Sequence, residues 1–110
     1  MSEINHFITR INKFVDDRKW RKYQKPKDLA ISVCLEAAEL LEHFQWKTER
    51  QVSRHIKTYK SEIADELADT LIYLFRIAHE LNIDVIKAFE RKMKKNEKKY
   101  PVGKSIGKYS

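Results

Sequence analysis

Leu29-Ala-Ile-Ser-Val-Cys-Leu-Glu36-Ala-Ala-Glu39-Leu-Leu-Glu-His43-Phe44 and Ile63-Ala-Asp65-Glu66-Leu-Ala-Asp69-Thr-Leu-Ile-Tyr73 decide how this chain folds. Both stretches lack glycine and proline and are rich in Leu, Ile and Ala, which predicts helix. At about 100° per residue, Glu36, Glu39 and His43 share one face of the first helix. Leu29, Ile31, Val33, Leu35, Ala37, Ala38, Leu41 and Phe44 cover most of its remaining circumference. On the second, Glu62, Asp65, Glu66, Asp69, Tyr73 and Arg76 form a narrow stripe between broad flanks of Ile63, Leu67, Leu71, Ile72, Leu74, Phe75 and Ile77.

An ionised carboxylate in apolar surroundings must be paired, must ligate a metal, or must take up a proton. Surface acids of an ordinary bundle usually alternate with Lys and Arg, and such solvated faces are the plain alternative here. Lys and Arg are plentiful in the chain, yet only Arg76 joins either stripe. The pairs Glu36-x-x-Glu39 and Glu66-x-x-Asp69 therefore predict a cation site. Oxygen-only ligation suits Mg²⁺, with Mn²⁺ as a substitute, better than zinc. A di-iron bundle needs Glu-x-x-His on two helices, whereas Glu39 and His43 have the wrong spacing and no counterpart. His6, His43, His55 and His79 read as structural.

Composition favours an all-α protein of one domain, a four-helix-bundle-type fold over residues 1–100 followed by a basic tail, 101–110. Ser2 caps a first helix to about Lys19, with Ile4, Phe7, Ile8, Ile11, Phe14 and Val15 on one face. Trp20 to Lys27 is a connector, and Asp28 caps a second helix to about Trp46. Thr48-Glu49-Arg50-Gln51 reads as a capping box opening a third helix to about Leu81, with a break near Thr58 to Ser61 and a stop at Asn82. Asp84 caps a fourth, through about Lys99, that carries Val85, Ile86, Phe89 and Met93 inward. Pro101 ends it, and Gly103 and Gly107 loosen the tail.

The single cysteine, Cys34, sits between Val33 and Leu35 and reads as a buried thiol in a reducing compartment, the cytoplasm. No basic segment followed by an apolar run opens the chain, and Glu36 interrupts the longest apolar stretch, so neither export nor membrane insertion is expected. The net charge of +7 is concentrated in Lys92, Lys94, Lys95, Lys98, Lys99, Lys104 and Lys108. Such segregation suits a cation-bound, phosphate-rich small molecule as well as nucleic acid. The wide apolar arcs of the central helices predict at least a dimer.

Phe44-Gln45-Trp46-Lys47 after the first acidic pair and Leu71-Ile72-Tyr73-Leu74 after the second extend a pattern from about Trp20 to Pro101. It takes in Trp20-x-x-Tyr23-Gln24-x-Pro26 and Lys92-Met93-x-x-Asn96-x-x-Lys99-Tyr100-Pro101. This set resembles the MazG-like all-α nucleoside triphosphate pyrophosphohydrolases, with the dCTP pyrophosphatase branch the nearer likeness. The resemblance implies cleavage between the α and β phosphates of a (deoxy)pyrimidine triphosphate such as dCTP, yielding the monophosphate and pyrophosphate. It implies Mg²⁺ held by Glu36, Glu39, Glu66 and Asp69, in a homo-oligomer, commonly a tetramer of two dimers.

By the same resemblance Trp20, Tyr23, Gln24 and Trp46 belong to the nucleobase and sugar pocket, and Tyr73 to the sugar. Lys92, Asn96, Lys99 and Tyr100 recur in steps of three or four and can converge on phosphate. Glu39 is the first choice for activating water and Glu36 the second. Lys108-Tyr109 is expected to close over the ligand. The branch carries a histidine where this chain has Ile11, beside Asn12, which leaves the preferred base open. Two rivals stand beside this reading, a basic helical adaptor for nucleic acid and a non-catalytic nucleotide or metal sensor.

Overall fold

Side-chain caps set where three of the helices begin. In the computed structural model, which describes residues 2–107, Ser2 Oγ accepts from the Asn5 amide at 3.1 Å and opens α1 (Glu3–Asp17). Thr48 Oγ1 accepts from the Gln51 amide at 3.2 Å, and Gln51 Oε1 accepts from the Thr48 amide at 2.8 Å. This reciprocal box opens α3 (Glu49–Glu80). Asp84 Oδ1 accepts from the Lys87 amide at 3.0 Å and opens α4 (Val85–Lys99). All three are the caps the sequence predicts.

The second helix, α2 (Pro26–Glu42), departs from expectation at both ends. Asp28 does not cap it; Lys25 is extended (φ −77°, ψ 160°) and Pro26 takes the first helical position. Proline disfavours helix in the residue before it and has no amide to leave orphaned at that position. Asp28 then lies in the first turn, where its charge meets the positive end of the helix dipole. At the other end residues 43–46 form a turn in place of helix, closing on Trp46 at φ 63°. α1 likewise stops two residues short of Lys19, which adopts φ 56°.

Between α1 and α2 lies a 3-10 turn, Arg21–Tyr23, and α5 (Val102–Ser105) follows Pro101. The expected break in α3 falls at Tyr59 (φ −115°, ψ 24°). Thr58 Oγ1 donates to the Arg54 carbonyl at 3.3 Å, a back-bond that bends helices. Asn82 adopts φ 56° just after α3, as a stop should.

α2 and α3 run antiparallel, since His43 meets His55, Glu39 meets Glu66, and Gln24 meets Arg76. α1 crosses the C-terminal half of α3. The deepest residues are Val15, Leu29, Ala78 and the charged Arg76. The Cα radius of gyration is 17.4 Å, larger than the roughly 13 Å of a compact domain of this length.

That openness corrects two expectations. Cys34, expected to be buried, is exposed on α2. Phe89 and Met93 do not point inward; they stay 59% and 38% exposed on α4. Leu35, Leu41, Leu67, Leu71 and Leu74 are also exposed, which leaves apolar surface on both α2 and α3. No helix among the described residues is long and apolar enough to cross a membrane.

Candidate metal centre and adjoining cavity

Antiparallel packing of α2 on α3 brings the two acidic segments together. Glu36, Glu39 and Glu66 each offer one carboxylate oxygen, and these oxygens all lie within 4.8 Å of one another. Glu36 and Glu66 are half-buried, while Glu39 reaches solvent. Glu36 Oε2 and Glu66 Oε2 are sealed from water and meet no hydrogen-bond donor. Asp69 lies outside this tight trio, but its charge acts on Glu36 and it shares a cavity with it.

Crowding changes the acidity of the cluster. Burial raises the Glu36 carboxyl above its usual range, and the charges of Glu39 and Asp69 add to the effect. Glu66 is pushed up to about 7, first because its protonated form bonds to Glu39, then by burial and by the Glu39 charge. Donorless oxygens sealed between helices require a proton or a cation. An all-oxygen donor set fits a hard divalent ion.

Beside the carboxylates opens a cavity of about 620 Å³, within the range of small-molecule sites. Glu36 and Asp69 border it. Trp20, Gln24 and Tyr73 form part of its wall, with Phe7, Ile11, Phe14, Leu71, Ile72 and Phe75 supplying an apolar lining. Trp20 packs edge-on against Phe14, ring centroids 5.7 Å apart, so the neighbouring helix fixes the indole. Arg10 and Arg76 complete the wall.

Other residues expected at the site stand apart from this cavity in the single chain. Tyr23 is exposed with Lys22 over its ring, and Lys99 lies 5.2 Å above the ring of Tyr100. Lys92 is exposed and Asn96 half-buried, and neither lines the cavity. Trp46 is 92% exposed and borders a separate shallow depression with Lys47, Arg54, His55 and Tyr59. Its positive φ is a costly conformation for a bulky residue. Lys108 and Tyr109 lie outside the described residues.

Residues 31–109 match the MazG-like family. The chain belongs to that family. Among solved structures, this MazG-like chain is similar to a pyrophosphatase from Archaeoglobus fulgidus, with 40% identity and a TM-score of 0.84 over 92% of this chain and 94% of the other. Among curated relatives it is 34% identical over 96 residues to dCTP pyrophosphatase 1 of Rattus norvegicus, covering 86% of this chain and 56% of the relative. The Homo sapiens dCTP pyrophosphatase 1 is 32% identical over 90 residues, covering 80% of this chain and 53% of the relative. This MazG-like chain thus spans just over half the length of the curated relatives it matches.

Sequence reasoning missed the structural role of Arg76 and the place of Arg10. Arg76 carried a visible signal, a lone cation within the greasy stretch Leu71 to Ile77. Arg10 lies between Phe7 and Phe14 on the cavity side of α1, and periodicity alone sets such a residue on the rim of an apolar face.

Proposed function

We propose that this MazG-like protein is a nucleoside triphosphate pyrophosphohydrolase that cleaves the α–β phosphoanhydride bond of a (deoxy)pyrimidine triphosphate such as dCTP. The observation that carries this reading is the pair of donorless oxygens, Glu36 Oε2 and Glu66 Oε2, in a carboxylate cluster whose Glu36 also borders a cavity of nucleoside size. Glu36, Glu39 and Glu66 would hold Mg²⁺, or Mn²⁺ in its place, with Asp69 alongside. When bound, the ion neutralises charge on the triphosphate oxygens and on the departing pyrophosphate.

The chain's own residues supply the rest. Glu39, the most solvent-accessible of the trio, accepts a proton from the attacking water, with Glu36 the next choice. Trp20, Gln24 and Tyr73 hold the base and sugar against the apolar wall. Tyr23 and Trp46 extend that pocket, and Lys92, Asn96, Lys99 and Tyr100 meet phosphate, in a homo-oligomer where a neighbouring copy brings them closer. A cytoplasmic enzyme fits a chain whose single cysteine, Cys34, has no partner for an internal disulfide.

Two measurements test this reading. Pyrophosphate release is expected from a panel of deoxynucleoside triphosphates with Mg²⁺, abolished by EDTA and by Glu39→Gln while nucleotide still binds. Wild-type protein that turns over none of them favours the non-catalytic sensor. Sedimentation should give a dimer or larger, because exposed Leu35, Leu67 and Leu71 form part of an apolar face that water solvates poorly. A monomer at micromolar concentration contradicts the oligomer.

A further inference from the structure

Arg76 is 1% exposed, and each of its three guanidinium nitrogens donates a hydrogen bond within the chain. Nη1 donates to Asn12 Oδ1 at 2.6 Å, Nη2 to Glu80 Oε1 at 2.6 Å, and Nε to Gln24 Oε1 at 2.8 Å. Glu80 is held in turn by Arg21 Nε at 3.3 Å, and Arg21 also faces Asp16 at 3.5 Å. α1, the 3-10 segment and α3 thus clamp one buried cation.

A guanidinium carries donors and no acceptor, so an amide facing it must present its oxygen. Gln24 therefore has one permitted orientation, with Oε1 on Arg76 and its NH₂ group directed elsewhere. No described residue accepts from that NH₂, and Gln24 lines the same cavity as Trp20 and Tyr73. Asn12, turned to Arg76 by the same logic, is buried and does not line the cavity, whereas Ile11 does.

We propose that Arg76 is a positioning residue that locks Gln24 as a hydrogen-bond donor toward the bound base, selecting a pyrimidine whose facing edge accepts. Resting on the assignment of this cavity to the base, the proposal deepens the function given above. Cytosine accepts at N3 and at the adjoining O2. Uracil and thymine keep O2 but carry N3–H, so an NH₂ aimed at N3 meets a donor and that contact is lost. Each of the three Arg76 nitrogens is tied to an acceptor within the chain and the residue is 1% exposed, so its influence on the base passes through Gln24.

The test compares kcat/KM for dCTP and dTTP with Mg²⁺. Wild-type protein should favour dCTP by about tenfold or more, the scale of one buried hydrogen bond made or lost. Gln24→Glu keeps an oxygen for Arg76 and replaces the NH₂ by an acceptor suited to N3–H. Its preference should shift toward dTTP by a similar factor, carried by KM. Arg76→Lys still offers donors only and should retain much of the discrimination. Arg76→Gln can donate or accept, frees Gln24 to flip, and should bring the ratio toward unity.

Discrimination that follows stability in Arg76→Lys and Arg76→Gln alike, each checked by circular dichroism and thermal melting, overturns the proposal. So does Gln24→Glu acting equally on both nucleotides. If the wild-type protein hydrolyses no triphosphate, the catalytic reading fails by itself. Equilibrium binding of dCMP and dTMP, followed by tryptophan fluorescence, then applies the same comparison: base-dependent reversal by Gln24→Glu supports the proposal and its absence overturns it.

Discussion

Glu66→Gln is expected to make the protein more stable in EDTA and to lower turnover by roughly ten- to a hundredfold, the scale seen when groups supporting a metal site are removed. The two effects share one cause. Glu66 lies within 4.8 Å of Glu36 and Glu39 and has an oxygen with no donor. Without a cation, ionising all three is unfavourable, and glutamine removes one charge while adding a donor. With a cation, those charges are the binding energy, and the amide forfeits part of it.

The sign of the pH dependence follows from the raised Glu66 carboxyl. Folding lifts it from 4.5 to about 7, first through the bond to Glu39 and then through burial. Between those values the folded state keeps a proton that the unfolded state has released. Stability in EDTA therefore falls as pH rises through that window. Adding Mg²⁺ should reverse the trend, because binding requires the deprotonated cluster and strengthens as pH climbs toward and past 7. Thermal melts from pH 5 to pH 8, with and without Mg²⁺, make the comparison in both proteins. A melting temperature that ignores Mg²⁺, or a Glu66→Gln variant that still responds to it as the parent does, removes the metal site from this cluster.

How much of this was legible in the sequence depended on the range of the interaction that decides each feature. Caps at Ser2, Thr48 and Asp84 are local and emerged as read. So did the break near Tyr59 and the stop at Asn82, since back-bonding and left-handed backbone preferences act within a turn. The start of α2 was misplaced because proline at the first helical position competes with a good capping residue two positions on. The acids Glu36, Glu39 and Glu66 could be proposed as one cluster because carboxylates flanked so closely by apolar side chains need a shared cation or a proton.

Periodicity gives each helix a buried direction without saying which surface covers it. Phe89, Met93 and Cys34 have the right spacing for a core, yet no described part of this chain lies over them. Trp46 shows the same limit: its place beside Gln45 and Lys47 was clear, but not that a tight turn would leave it 92% exposed. The Arg76 network was out of reach for another reason. Its partners Asn12 and Gln24 are 64 and 52 residues away, and no local pattern couples them.

That network carries the other large expected effect. Arg76→Ala should destabilise the fold by about 3–5 kcal/mol, the usual cost of removing one member of a buried ion pair. Truncation would strip the side chain from a position that is 1% exposed and leave Glu80 Oε1 without its 2.6 Å partner. Asn12, itself 8% exposed, would keep a carbonyl oxygen with no donor. Arg21 would still balance Glu80 in part, at 3.3 Å, but it is half-exposed and contributes little to the interior. Because the Asn12–Arg76 bond is the side-chain hydrogen bond that joins α1 to α3 among the described residues, loss of stability should begin there. Amide exchange is expected to rise first across residues 11–15 and 73–79, ahead of α2. Replacing Arg76 by Met, which restores apolar volume but no donor, should recover less than half of the loss, because the unpaired Asn12 and Glu80 remain. Urea melts that place the alanine variant within about 0.5 kcal/mol of the parent, the usual range for a surface change, would show that the buried cation is not what holds α1 in place.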